Sequence, residues 1–333
     1  MKYSALGKSG IEASVIGMGT WVTGGGGIWG EDPDDTESIR AIHAAIDAGV
    51  TLIDTAPSYG QGRSEEVLGK AIRDRRDKVV LATKCGLLVD DERGAFFTEF
   101  DGHTLYRSLQ PETIRDEIED SLRRLQTDTI DLYQTHWPAI EPIKTPVSES
   151  MACLMKLKDE GKIRAIGLSN VSLDELKEND AEGEVASNQF RYSMLCRDAE
   201  QDILPYCLEN NIATLTYMSL EQGLLTGKIG MDRQFSEEEF RSNADWNPWY
   251  AMENRERVLD LLAGWGDLID KYNCTLAQLV LAWTLEQPGV THVLVGARKT
   301  SQIEENVAAA ELELSKDDVD RIRRDVVALG SPA

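Results

Sequence analysis

Four side chains with complementary acid–base chemistry lie at or beside the ends of apolar runs in the first half of the chain. Asp54 closes the apolar run of TLIDTA, Lys84 ends KVVLATK and His136 ends TIDLYQTH, while Tyr59 lies on the loop just beyond Asp54. Each could be structural when taken alone, but four such residues are hard to explain by packing. We predict that Asp54, Tyr59, Lys84 and His136 form one catalytic group.

The elements that must position these residues are short strands that alternate with amphipathic helices. Eight apolar runs of strand length are present, at 14–20, 51–56, 78–84, 129–136, 163–170, 184–190, 212–218 and 291–297. This alternation predicts an α/β fold, a closed (β/α)8 TIM barrel in which the carboxyl ends of the strands meet at one mouth. An open dinucleotide-binding sheet is rejected, because the Gly-rich stretch 19–26 lacks the G-x-G-x-x-G spacing.

Two further segments are expected to modify the barrel. The first residues, KYSALGKSGIEASV, read as a hairpin that plugs the N-terminal end, and residues 219–253 form a long loop after strand seven that could act as a lid. We predict a single domain spanning residues 1–333.

The bulk composition excludes several classes of function. A formal net charge of −23 argues against nucleic acid as a partner, and no apolar run is long enough to span a bilayer. The five cysteines are scattered without a CxxC pair, which predicts reduced thiols and no metal site. The first residues, MKYSALGKSG, contain no apolar segment of the signal-peptide type, so a cytoplasmic location is expected. The oligomeric state is not readable from the sequence.

The catalytic group favours carbonyl reduction over the other reactions of barrel enzymes. A glycosidase needs two strand-end carboxylates, and a Schiff-base lysine must be neutral, whereas Asp54 would hold Lys84 charged. A charged Lys84 beside Tyr59 is expected to lower the phenol pKa from about 10 towards neutrality. The phenol could then exchange a proton with the alkoxide formed by hydride attack.

The chain resembles the aldo-keto reductase superfamily along nearly its whole length. The resemblance is carried by DTAPSYGQGRSEEVLGKAI (54–72), ATK (82–84), DLYQTHWP (131–138) and GKIRAIGLSN (161–170), in this order and spacing. It is strongest to bacterial members that act on sugars and oxo-sugars. It implies that Tyr59 is the general acid, that Asp54 and Lys84 tune it, and that His136 orients the substrate carbonyl.

The resemblance also implies a nicotinamide cofactor laid across the barrel mouth. The residues it assigns to cofactor binding are Gly19, Thr20, Asp54, Ser169, Asn170, Gln189, Tyr217, Ser219, Leu220, Gly223, Leu225, Lys228, Gly296, Arg298, Gln302, Glu305 and Asn306. Arg298 and Lys299 are adjacent cations before a helix, a good site for a 2′-phosphate, so NADP(H) is expected in preference to NAD(H).

The expected substrate is a small carbonyl compound, in particular a sugar. Aromatic rings suit the C–H faces of sugars. We assign substrate contacts to Trp21, Trp29, Tyr59, His136, Trp137 and Trp249. An oxo-sugar such as 6-oxo-glucose fits this pattern. Two alternatives stay open: a cofactor-sensing regulatory subunit with low turnover, and an NADP-dependent sugar or polyol dehydrogenase working in the oxidative direction.

Overall fold

The computed structural model describes residues 1–26, 29 and 34–332. The strands of the described residues are, in chain order, β1 (Tyr3–Ala5), β2 (Glu12–Ser14), β3 (Ile16–Gly19), β4 (Leu52–Asp54), β5 (Val80–Cys85), β6 (Leu87–Val89), β7 (Ala95–Phe100), β8 (His103–Arg107), β9 (Ile130–Thr135), β10 (Ile163–Ser169), β11 (Val185–Arg191), β12 (Ala213–Tyr217) and β13 (His292–Gly296). The α-helices are α1 (Asp35–Asp47), α2 (Arg63–Ile72), α3 (Pro111–Leu125), α4 (Val147–Asp159), α5 (Leu173–Glu182), α6 (Ile203–Glu209), α7 (Met252–Ala263), α8 (Gly266–Tyr272), α9 (Leu276–Leu285), α10 (Thr300–Val307) and α11 (Lys316–Leu329).

Eight of the described strands close into a parallel barrel, which confirms the predicted fold class. The order around the barrel is β3, β4, β5, β9, β10, β11, β12 and β13, with β13 pairing back onto β3. The closing register sets Gly296 opposite Gly19, and the next register sets Gly19 opposite Asp54. The carboxyl ends of the first, second and last barrel strands are therefore aligned at the mouth.

The N-terminal hairpin plugs the opposite end of the barrel, as the sequence predicts. β1 and β2 pair antiparallel, and Leu6, Ile11 and Ala13 join a buried apolar cluster with residues from inside the barrel. Gly7 has φ 52°, and a Cβ there would lie 2.3 Å from the carbonyl oxygen of Ala186. This turn therefore requires a residue without a side chain to seat the hairpin against the barrel wall.

The helices begin at residues that satisfy their first backbone amides. Ser172 and Glu175 form a reciprocal capping box at α5, and Thr275 and Gln278 form another at α9. α3 begins with Pro111, whose missing N–H removes no helical hydrogen bond. These local signals account for where the predicted helices start.

Three features were not predicted. The stretch after β5 folds as an antiparallel sheet in the order β6, β8, β7. The long loop after β12 contains 3-10 turns at Glu221–Thr226, Phe240–Ser242 and Pro248–Tyr250, and it leads into α7 and α8. A last helix, α11, packs on α7. That one domain spans residues 1–333 stays a prediction.

None of the helices in the described part of the chain is long and apolar enough to cross a membrane. All five cysteines are free, and four of them are buried. Within the same residues, no cluster of three His, Cys, Asp or Glu side chains is arranged to hold a metal ion.

Candidate active site

The four predicted catalytic side chains meet at the carboxyl end of the barrel. Asp54 and Lys84 stand at the ends of β4 and β5, almost completely withdrawn from solvent. The rings of Tyr59 and His136 lie 5.8 Å apart in an edge-on arrangement. Parallel strands bring these residues together because their carboxyl ends open onto the same mouth.

The ammonium of Lys84 organises this group. Its Nζ donates to Asp54 Oδ1 at 2.6 Å, to the carbonyl oxygen of Thr55 at 2.8 Å and to Tyr59 Oη at 3.2 Å. An ammonium has three protons and accepts nothing, so all three are used. Tyr59 Oη is therefore an acceptor towards Lys84, and its own proton must point elsewhere.

Electrostatics keep the lysine charged and the phenol protonated. Burial opposes the charge on Lys84, but Asp54 and Tyr59 outweigh it and raise the pKa of Lys84. Burial raises the pKa of Tyr59 above its ordinary value, and Lys84 offsets only part of that effect. The prediction that Lys84 brings the Tyr59 pKa towards neutrality was therefore wrong in its net direction, since desolvation of the phenolate dominates.

His136 is a neutral group in this setting. Burial, together with the nearby charges of Lys84 and Arg107, lowers the pKa of His136 well below its ordinary value. Its backbone amide donates to the carbonyl oxygen of Cys85 at 2.8 Å, which ties it to the end of β5. A neutral imidazole can donate a hydrogen bond from one ring nitrogen without transferring a proton.

Two side-chain amides bond to Asp54: that of Gln189, which the sequence analysis predicted as a site residue, and that of Gln134, which it missed. Gln134 and Gln189 each donate from Nε2 to Asp54 Oδ2 at 2.9 Å, and Gln189 Nε2 also donates to Gln134 Oε1 at 3.2 Å. Both protons of the Gln189 amide are thereby used, so this side chain can offer a ligand only its oxygen. Gln134 lies inside its apolar run, two residues before His136.

The residues assigned to the nicotinamide end form one connected set. Tyr217 Oη donates to Asn170 Oδ1 at 2.7 Å, and Asn170 Nδ2 donates to Ser169 Oγ and to the carbonyl oxygen of His136, each at 3.0 Å. Asn170 has a left-handed φ of 58°. The set is fixed to the catalytic group before any ligand is considered, which is the preorganisation a binding site needs.

The loop after β12 carries an unusual backbone. Positive φ angles occur at Met218, Glu221, Gln222 and Gly223. Strained conformations of this kind cluster at functional sites, because the surrounding structure must hold them.

Buried contacts hold this loop in place. Glu221 is fully buried, and its carboxylate accepts from Arg191 at 2.7 Å and from Asn247 at 2.8 Å. Ser219 Oγ donates to the carbonyl oxygen of Tyr192 at 3.1 Å.

Not every loop residue assigned to the cofactor can touch one through its side chain. Leu225 is completely buried in an apolar cluster, and its amide donates to the carbonyl oxygen of Leu220 at 3.2 Å. Leu225 therefore shapes the loop and offers a ligand no side-chain contact. Lys228, by contrast, pairs with Glu305 of α10 at 2.5 Å, so it links two of the segments assigned to the cofactor.

The residues assigned to the adenosine end lie at the start of α10. Gln302 Oε1 accepts from the amide of Arg298 at 2.8 Å and from that of Lys299 at 3.1 Å. The Arg298 guanidinium donates to the carbonyl oxygen of Trp29. Asn306 is 5% exposed, which leaves it little surface for a ligand.

An aromatic wall stands beside the catalytic group. Trp21 stacks on Tyr59 at 6.0 Å and meets Trp29 at 5.0 Å and Phe240 at 5.2 Å. Phe240 also contacts Trp246 at 4.6 Å. The long loop thus reaches the mouth through Phe240 and Trp246, neither of which was predicted as a site residue.

Trp249 does not join this wall. Its side chain is 4% exposed and packs in the apolar cluster that contains Trp265 and Trp283. The expectation that Trp249 contacts the substrate is not supported, because this part of the loop turns inward. Trp137 instead lies next to Phe97, with ring centroids 5.5 Å apart.

The residues present fit a nicotinamide cofactor. Gly19 and Gly296 are paired across β3 and β13 and have no side chains to cover the mouth between these strands. The space beside them is open, because a Cβ on either glycine would lie no closer than 3.5 Å to another atom. On the neighbouring strands, Gln189 offers an acceptor and Tyr217 an aromatic face. Arg298 is half-buried, and desolvation, together with the nearby charge of Arg241, lowers its pKa, so an anion bound there would be stabilised.

Comparisons with known proteins agree with this geometry. The sequence profile described as "Aldo/keto reductase family" matches residues 15–325. The chain belongs to the aldo/keto reductase family. It is an NAD(P)-dependent oxidoreductase, as the resemblance in the sequence implies.

Three aldo/keto reductase relatives show how far the similarity extends. The chain is 42% identical over 330 residues to the "NADH-specific methylglyoxal reductase" of Escherichia coli K12, covering 99% of both chains. It is 40% identical to "Aldo-keto reductase YhdN" of Bacillus subtilis, covering 91% of this chain and 87% of that one. The solved glycerol dehydrogenase AKR11B4 from Gluconobacter oxydans superimposes with a TM-score of 0.86 at 37% identity, covering 99% of this chain and 96% of that one.

Proposed function

We propose that this aldo/keto reductase reduces the carbonyl group of a small polar substrate, with Tyr59 as the general acid. One observation carries the proposal: all three protons of Lys84 are donated, one of them to Tyr59 Oη at 3.2 Å, so the phenol proton is directed away from the lysine. The raised pKa of Tyr59 keeps that proton in place at neutral pH.

The roles of the side chains follow from their charges. A nicotinamide cofactor, when bound, would supply the hydride that adds to the carbonyl carbon. Neutral His136 donates a hydrogen bond to the carbonyl oxygen and polarises it. Tyr59 transfers its proton to the same oxygen as negative charge develops there, and Lys84 stabilises the resulting phenolate. Asp54, held by Gln134 and Gln189, keeps Lys84 charged and in position.

We propose a sugar, an oxo-sugar or a related short hydroxycarbonyl compound as the substrate. Support comes from the wall of Trp21, Trp29, Phe240 and Trp246, whose faces suit C–H groups, next to polar groups that suit hydroxyls. The names of two relatives refer to methylglyoxal and glycerol, which are also short oxygenated compounds.

We propose NADPH as the preferred cofactor. Arg298, Lys299 and Arg241 bring positive charge to the adenosine end, and the carboxylate of Glu239, which acts on Arg298, is already paired with Arg241. These cations favour a 2′-phosphate. The name of the Escherichia coli relative refers to NADH instead.

Arg298→Ala tests the choice of cofactor. We expect it to weaken NADPH binding by about 10–100-fold and NADH binding much less, because a charge-assisted contact to phosphate is lost. Calorimetric titration of the wild type and the variant with both cofactors measures this. Equal losses, or tighter NADH binding by the wild type, would refute the NADPH preference.

The reaction itself is tested by steady-state turnover of aldoses, methylglyoxal and glyceraldehyde with each cofactor. Appreciable kcat/KM on at least one of these carbonyls is expected. Tight cofactor binding without turnover would instead indicate a cofactor-sensing subunit.

The oxidative direction is a second candidate, favoured by the likeness to a glycerol dehydrogenase. It requires Tyr59 to accept a proton as a phenolate, which its raised pKa disfavours at neutral pH. Oxidation of glycerol or sugar alcohols at neutral pH faster than the reverse reduction would overturn the proposed direction.

A further inference from the structure

Arg107 is a buried cation that the proposed mechanism does not use. It ends β8, the central strand of the small sheet, and its side chain is 8% exposed. Its Nε is enclosed without a hydrogen-bond partner, and it forms no ion pair with any acid in the described part of the chain. Buried guanidinium groups are normally paired, so an unpaired one calls for a ligand.

The aromatic residues around Arg107 hold it without neutralising it. Its guanidinium carbon lies 3.7 Å from the centre of the Phe97 ring and 4.6 Å from that of Trp137. Such contacts orient the guanidinium plane but leave its N–H groups without acceptors.

The acid that acts on Arg107, Glu175, already accepts hydrogen bonds from other groups. Glu175 raises the pKa of Arg107, but less than burial lowers it. The Glu175 carboxylate accepts from the amide and the hydroxyl of Ser172, both at 2.8 Å, within the capping box of α5. It is therefore held by the helix start and does not form an ion pair with Arg107.

The position of Arg107 connects it to the catalytic group. The amide of Ser108 donates to the carbonyl oxygen of Gly86, two residues beyond Lys84. The charge of Arg107 acts on His136, and the guanidinium lies over the ring of the following residue, Trp137. A substrate whose carbonyl contacts Tyr59 and His136 could reach Arg107 by extending along the Trp137 ring.

We propose that Arg107 binds an anionic group of the substrate, so that the enzyme favours aldehydes or ketones that carry a carboxylate or a phosphate at the end remote from the reacting carbonyl. This inference rests on the proposed function and narrows its substrate class. The guanidinium would receive two acceptor oxygens on its N–H edges, an arrangement that matches both carboxylate and phosphate. On a chain with a net charge of −23, such a local cation would also retain an anion that the overall charge repels.

The test compares matched pairs of substrates that differ only in the anionic group. Butanal and 4-oxobutanoate form the carboxylate pair, and glyceraldehyde and glyceraldehyde 3-phosphate form the phosphate pair. We expect the wild type to have a higher kcat/KM for the anionic member of at least one pair, mainly through a lower KM. Which pair responds identifies the anion.

Arg107→Met should reduce kcat/KM for the preferred anionic substrate by about 10–100-fold, the size expected for a lost charge-assisted hydrogen bond. The neutral partner should lose far less, so the preference disappears. Arg107→Lys, which keeps the charge but not the planar fork, should retain part of it. Arg123→Met is the matched control, because Arg123 is an exposed residue of α3 paired with Asp120.

Several results would overturn the inference. The inference is refuted if the wild type prefers neither anionic substrate over its neutral partner. It is also refuted if Arg107→Met lowers kcat/KM equally for both members of a pair, because that result would indicate a purely structural role. If no carbonyl is reduced, the proposed function fails separately. In that case, calorimetric titration of the wild type and of Arg107→Lys with butanoate and with inorganic phosphate tests the anion site. The site is refuted if the wild type binds neither anion, or if Arg107→Lys binds them as tightly as the wild type.

Discussion

The two ends of the barrel are built by the same strands but have opposite chemistry. At the N-terminal end, Leu52, Ala82 and Leu132 point inward and pack against the hairpin residues Leu6 and Ile11. Two residues further along the same three strands, the inward positions are Asp54, Lys84 and Gln134, which bond to one another. The change from an apolar plug to an ionic mouth thus takes place over two residues of each strand, from one inward-facing position to the next.

This difference separates stability from chemistry. The cluster at the plugged end consists of apolar side chains, while the mouth buries a charge pair that is tolerated only because each of its donors and acceptors has a partner. Changes at the plugged end should therefore affect stability alone, whereas changes at the mouth should affect catalysis first.

The largest expected effect is that of Tyr59→Phe at the mouth. Removing the general acid should lower kcat by about 10²–10⁴-fold, because only the phenol proton is transferred to the substrate oxygen. Cofactor binding by calorimetry should stay close to that of the wild type. Tyr3→Phe, a phenol at the plugged end, is the control, and near-normal turnover by Tyr59→Phe would remove the acid assignment.

Lys84→Met should impair both properties, since it removes one partner of the buried pair. Turnover should fall by at least about 10²-fold, and stability should drop by about 3–5 kcal/mol at most, because Asp54 keeps its two amide donors. Steady-state kinetics and urea unfolding measure the two effects. The double variant Asp54→Asn, Lys84→Met should recover stability without activity; recovery of both would contradict the role given to the charge.

Leu6→Ala is the corresponding change at the plugged end. Leu6 is fully buried, so its truncation should cost about 2–5 kcal/mol of unfolding free energy. Below the unfolding transition, kcat and KM should match the wild type. A selective loss of kcat in the folded variant would show that the two ends are coupled, contrary to the separation argued above.

The smallest effect is expected from pH. The raised pKa of Tyr59 means that the phenol stays protonated through neutral pH, so reduction should be nearly constant there and fall only above about pH 10. The rate of oxidation, which needs the phenolate, should rise with pH in the range where the rate of reduction falls. Profiles of kcat/KM in both directions test this, and a decline of reduction between pH 6 and 8 assigned to Tyr59 would be inconsistent with it.

The same comparison explains what the sequence could predict. The apolar runs of the sequence give way abruptly to Asp54, Lys84 and His136, so both the barrel and the position of its mouth could be predicted. Gln134 was missed because only the last residue of each run was considered, although inward positions recur every second residue.

Arg107 and the Tyr59 pKa could not be read in this way. Arg107 depends on a small sheet whose strands pair across turns, and no periodic signal in the sequence indicates which residues that sheet brings to the mouth. The net direction of the Tyr59 pKa depends on how much water the surrounding residues remove, a property of packing that residue types do not specify.

The most direct test of the central claim is to follow the transferred hydrogen. The wild type would be given nicotinamide cofactor carrying deuterium at the reactive position, with a small carbonyl substrate, and the alcohol product would be analysed by mass spectrometry. The account predicts that each alcohol molecule made by the wild type carries one deuterium on the former carbonyl carbon. Tyr59→Phe should form almost no labelled alcohol in the same time, although it binds the cofactor. Product without deuterium, or equal labelling by Tyr59→Phe, would contradict carbonyl reduction through this phenol.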